Sequence, residues 1–284
     1  MPRGENVLAE LPADSATFAG NRAVGRIELS VGAEVRGNRR RRVCEAGSLR
    51  VRFPNVAPGG PLEAVIINTA GGMTGGDRFD LDFEVGANAR LTVGTAAAEK
   101  IYRSLGPDTV VNVRLTVGVG ATLAWLPQET ILFDRMRLRR TIEADLAPDA
   151  QLIIAEMLVF GRSAMGEMVE RGQLFDRWRI RAGGALVFAE SLRLDGAIAE
   201  SLARRAAAGG GCAIASVLKF PASETDIAAV RQQQSTFAGE VGISCFNGLA
   251  LARLVAGEGA ALRRDLIGLL TALGDMPLPR LWLN

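Results

Sequence analysis

The chain has no histidine, and among its basic residues only Lys100 and Lys219 are lysine. Without imidazole there is no ordinary general base, no Ser-His-Asp or Cys-His nucleophile pair, and none of the commonest ligand for zinc, nickel or copper. Cysteine is scarce too. Cys44, Cys212 and Cys245 lie far apart and make no Cys-x-x-Cys pair, so reduced or buried thiols are expected rather than a metal or redox centre. No long apolar run occurs: the most apolar, Leu152 to Phe160, is interrupted by Glu156 and is too short to span a bilayer, and residues 1–25 hold no export-signal core. These absences predict a cytoplasmic protein. A net charge of +2 over 284 residues gives no electrostatic case for nucleic acid or an anionic membrane.

What is present is apolar and rich in glycine. Apolar residues make up 48% of the chain and the mean hydropathy is +0.17, ample for a core and high for a protein that stays soluble alone. Gly71, Gly72, Gly75 and Gly76 follow the apolar run Ala64-Val65-Ile66-Ile67, where a phosphate-binding loop would place its glycines. A phosphate loop opens into a helix. Here Phe79, Leu81, Phe83 and Val85 alternate with Asp80, Asp82 and Glu84, the period of a half-buried strand, so a β-hairpin with positive φ at its turn is expected. Gly161-Arg162-Ser163-Ala164-Met165-Gly166 is no nucleophile elbow, having the wrong glycine spacing and no histidine to serve it.

Along the chain, residues 1–20 read as a loose leader. Arg26 to Val31 and Leu49 to Phe53 alternate as strands, Arg39 to Arg42 reads as a solvated connection, and Pro58 to Pro61 as a loop. The stretch from Val85 to Leu91 is echoed by Val117 to Leu123, Leu146 to Leu152 and, more weakly, Ile180 to Leu186, at a period of about 30 residues. Thr95 to Ser104 is expected to be extended. Ser223 with Asp226 signals a helix start, Asn247-Gly248 a tight hairpin, and Leu262, Leu266, Leu269, Leu270 and Leu273 one helical face ending at Gly274. The fold expected is β-dominated: an elongated β-sandwich or β-helix-like stack of antiparallel hairpins, with about two α-helices near the C-terminus, in a single domain over 1–284.

Asn68-Thr69-Ala70-Gly71-Gly72-Met73-Thr74-Gly75-Gly76-Asp77 resembles the signature of the urease accessory proteins of the UreD (also called UreH) family. Further blocks in the expected order resemble it as well: Leu49 to Pro54, Ala97 to Ser104, Trp125 to Asp134, Phe160 to Glu167, Asn247 to Leu249 and Leu278 to Trp282. The resemblance implies a non-enzymatic chaperone on a β scaffold that binds UreF, through it the GTPase UreG, and docks on apo-urease to support nickel delivery. It implies no tightly bound cofactor.

If nickel passes through this chain, the donor chemistry implies a hydrated ion moving past carboxylates that bind it weakly enough to release it. The motif-borne acids Asp77, Glu99, Glu129, Asp134, Glu156 and Glu167 are the candidates; pairing with the abundant arginines is the plainer expectation for each. A rival reading, a carboxylate-dependent carbohydrate-active β protein, would use Glu129, Asp134, Glu156 and Glu167. One tyrosine and three tryptophans offer such a protein little for stacking sugar rings.

Overall fold

The computed structural model describes residues 21–35, 37–57, 59–162, 165–274 and 277–283. The expected leader, Pro58 and Ser163 lie outside the described residues.

Two sheets face one another across a common core. The first runs, in spatial order, β2 (Gly37–Gly47), β1 (Val24–Glu34), β5 (Arg78–Val85), β8 (Thr109–Val117), β11 (Arg137–Leu146), β13 (Arg171–Ala182) and β14 (Ala185–Ala197). The second runs β3 (Leu49–Arg52), β4 (Leu62–Asn68), β6 (Arg90–Thr95), β9 (Thr122–Trp125), β12 (Gln151–Phe160), β15 (Ala213–Phe220), β17 (Leu249–Ala256) and β16 (Glu240–Phe246). The short strands β7 (Glu99–Ile101) and β10 (Thr130–Leu132) pair with each other, and β10 also pairs with β12.

From β4 to β13 the chain passes from one sheet to the other and back, so each circuit lays a new strand beside the last. Pairing between circuits is parallel, through β1, β5, β8, β11 and β13 in one sheet and β4, β6, β9 and β12 in the other. Antiparallel pairs close the ends, as in β1 with β2, β13 with β14 and β12 with β15. The β-dominated stack is as expected, but its inner units are coils and not antiparallel hairpins. The turn at Gly71 to Asp77 is likewise no hairpin, because β4 and β5 belong to different sheets. Period-two alternation reports one buried face and is silent on which strand lies alongside. Parallel strands need a crossover, and here the opposite sheet supplies it where a helix usually would.

The sequence repeat is the coil. Leu91, Leu123 and Leu152 are register partners across β6, β9 and β12, and Val85, Val117 and Leu146 are partners across β5, β8 and β11. Between them the fourth residue of each turn, Asn88, Gly120 or Asp149, takes a left-handed conformation at φ 59°, 63° and 61°. Asn, Gly and Asp are the residues that tolerate it best. The weak fourth copy is a true hairpin joining β13 to β14.

Inward residues of both sheets form one core, from Ile27 on β1 to Leu249 on β17. A second core lies outside the second sheet, where Ala155, Ala213, Ala215 and Ala252 leave room for a helix to approach. That helix is α3 (Gly259–Leu273); it buries the expected leucine face and ends at Gly274, φ 64°. Helix α2 (Glu224–Gln232) starts with the Ser223–Asp226 capping box, and Asn247-Gly248 turns β16 into β17. The short α1 (Ile198–Ala203) was not expected, being less than two turns long. Arg39 to Arg42 are exposed as anticipated, but they lie on the edge strand β2 instead of in a connection. None of the helices is long and apolar enough to cross a membrane among the described residues.

Candidate functional site

The glycine turn and the loops after β7, β10 and β12 stack side by side along one margin of the coil. Met73 N donates to Lys100 O and Tyr102 N to Met73 O, both at 2.7 Å; Ser104 N donates to Arg135 O at 3.0 Å and Arg135 N to Arg171 O at 2.7 Å. Gly75 is held by contact: a Cβ there would lie 2.0 Å from Ser104 Oγ and 2.5 Å from Pro107 O. Gly71, Gly72 and Gly76 do have positive φ, at 75°, 150° and 92°. On the same margin Tyr102 meets Phe133 edge-on at 4.8 Å, and the Arg162 guanidinium sits 4.5 Å above Phe133. Tyr102, Leu105, Met165 and Met168 are exposed there.

Three of the six candidate acids belong to this margin. Asp77, buried, accepts the main-chain N–H of Ala23 at 2.8 Å and of Thr74 at 2.7 Å, fixing the turn. Asp134 accepts Arg171 N at 3.0 Å and Glu167 pairs with Arg162. A fourth, Glu129, pairs with Arg263 of α3 at 3.1 Å, an arginine that also covers the Trp282 ring. The four acids of the carbohydrate reading are thus divided among the interior, a helix contact and the turns. Asp134 and Glu167 do approach each other, Asp134 N lying 3.4 Å from Glu167 Oε1.

Glu99 and Glu156 differ from the rest. Both line one cavity of about 70 Å³ between the sheets, together with Gln128, Thr130 and Arg140, roomy enough for water by the usual measure. Burial pushes the Glu99 carboxyl above its ordinary range, while Asn68 Nδ2, at 3.0 and 3.1 Å from its oxygens, pulls the other way. Glu156 is raised by burial against the opposing pull of Arg140. It accepts Trp125 Nε1 at 2.7 Å and an N–H of Arg140.

Arg140 and Asp176 were missed from the sequence. Arg140 grips Asp176 through Nε at 3.1 Å and Nη2 at 2.6 Å, and Trp178 Nε1 adds a bond to Asp176 at 3.3 Å. Burial disfavours the guanidinium charge, yet Asp176 and Glu156 hold its pKa above the ordinary value. The signal for all three was parity. Arg140 falls among Leu138, Ile142 and Ala144, Asp176 between Leu174 and Trp178, and Glu156 between Ile154 and Leu158, each a charge at a core position, which survives only when paired. Among the described residues no three Asp, Glu, His or Cys gather to hold a metal ion. Two separated interior carboxylates can attract a hydrated cation without enclosing it.

The profile of the UreD urease accessory proteins matches residues 23–283. The chain belongs to this family. It is 52% identical over 270 residues to the urease accessory protein UreD of Rhodopseudomonas palustris, covering 95% of this chain and 96% of that one. It is 50% identical over 276 residues to the UreD of Bradyrhizobium diazoefficiens, covering 97% and 99%, and 47% over 275 residues to UreD 3 of a Bradyrhizobium species, covering 96% and 99%. These relatives are named as accessory proteins and not as enzymes. The UreD match takes in all four stacked loops and the interior carboxylates.

Proposed function

We propose that this chain is a scaffold that works with UreF and UreG on apo-urease in the cytoplasm and supports delivery of nickel to its metal centre. The family match over nearly the whole length carries the reading. The exposed Tyr102, Leu105, Met165 and Met168 on the stacked loops fit a surface of protein contact, since tyrosine, methionine and arginine are enriched in interfaces. Nickel, as cargo, would move hydrated past the interior carboxylates. Of the six acids, Glu99 and Glu156 suit that role because they share a cavity; Asp77, Glu129, Asp134 and Glu167 suit structural roles. A tagged chain purified from its own cells is expected to bring down urease subunits with UreF and UreG. Recovery of the chain free of urease and of both partners would refute the reading.

A further inference from the structure

Among the described residues, Arg140 and Glu156 line both the 70 Å³ cavity and a smaller one of about 20 Å³. The smaller cavity is also lined by Asp176, Glu190, Ser216 and Arg253. Glu190 and Arg253 form a partly exposed ion pair, so this second cavity leads toward solvent. Arg140, buried and paired with Glu156, thus borders both spaces.

Its three bonds are not equivalent. Arg140 and Asp176 are register partners on neighbouring parallel strands, joined by two hydrogen bonds within one sheet. Glu156 belongs to the opposite sheet and is reached by a single N–H. A bidentate grip within a sheet outlasts a single bond across the core, so a swing of Arg140 would release Glu156 and keep Asp176.

We propose that Arg140 is the closure of the interior passage, a positioning residue that swings from Glu156 while anchored on Asp176 to let a hydrated divalent cation move from the Glu99 cavity toward Glu190. The proposal rests on the nickel-transit reading above. An arriving cation repels the guanidinium and gives Glu156 a replacement counter-charge; when the cation leaves, Arg140 returns and no carboxylate stays unpaired. A mere staple between the sheets would have no link to cation access.

The test uses Trp125 and Trp178, whose indoles bond to Glu156 and Asp176. Arg140→Lys keeps the charge but lacks the planar fork that spans both carboxylates. In the full-length chain this variant is expected to raise quenching of tryptophan fluorescence by Ni²⁺ severalfold over wild type, with quenching by neutral acrylamide unchanged. Equal Ni²⁺ quenching in both proteins, or a parallel rise with acrylamide, would overturn the closure. Should the variant fail to fold, the wild-type chain serves: with Arg140 closed on Glu156, Ni²⁺ is expected to broaden the Trp125 indole resonance, on the Glu99 side, before that of Trp178, which lines the smaller cavity, and simultaneous broadening would overturn the proposal. Failure of the transit reading is seen separately. Glu99→Gln chains that recruit every partner and fully activate urease would remove transit while leaving the quenching result intact.

Discussion

Glu156 and Glu167 stand eleven positions apart on one stretch of chain, and each pairs with an arginine. The resemblance of their settings ends there. Glu156 and its partner Arg140 are almost wholly buried, whereas Arg162 beside Glu167 remains 42% exposed. In the interior a charge without its partner has no water to fall back on; at the loop margin it does. The same two residue types thus make a device at one place and a minor surface contact at the other.

The largest effect expected from breaking this contrast is at Arg140. Arg140→Met leaves Glu156 and Asp176 buried and uncompensated and should destabilise the chain by about 3–5 kcal/mol. Arg162→Met should cost under about 1 kcal/mol. Denaturant unfolding of both variants measures the difference directly.

The margin has its own sensitive points, set by main-chain geometry instead of paired charge. Asp77→Ala removes a carboxylate that accepts two main-chain N–H groups and should lower stability by about 1.5–3 kcal/mol. Gly75→Ala should lower it by about 1–3 kcal/mol, because the added methyl runs into Ser104 and Pro107. Left-handed strain is not the cause at Gly75, so Ala and Val should both be poorly tolerated; thermal melts in which Ala matches wild type would refute the steric account.

The smallest effect sharpens the interior side. Glu99 has its folded-state pKa raised, mainly by burial. In the window between the unfolded and folded pKa values the native chain holds a proton that the unfolded chain has released, so stability falls as pH rises through it. Glu99→Gln should therefore match wild type in acid and become the more stable protein as pH climbs through and above that window. A constant difference at all pH values would contradict the assignment.

Much of the fold was legible because its signals are local. Alternation marked β1, β3 and β5, the recurring stretch marked a repeating unit though not its parallel coil, and Ser223, Asn247-Gly248 and the leucine face marked the C-terminal elements. Strand pairing was not legible, since an alternating strand reads the same beside a parallel or an antiparallel neighbour. Site residues fared similarly: Glu99 and Glu156 stood among the candidates, but nothing in the sequence around them separates them from Asp134 or Glu167. Arg140 and Asp176 lie outside the recognised blocks, and their one signal, a charge on the apolar parity of a strand, becomes readable only once the buried face is known.

The division between interior and margin carboxylates is tested most directly by urease activation in cells supplying chains that still assemble with urease, UreF and UreG. Glu99→Gln is expected to lose most activation and Glu167→Gln to keep it. Full activation by Glu99→Gln, or equal loss from both, would contradict the account.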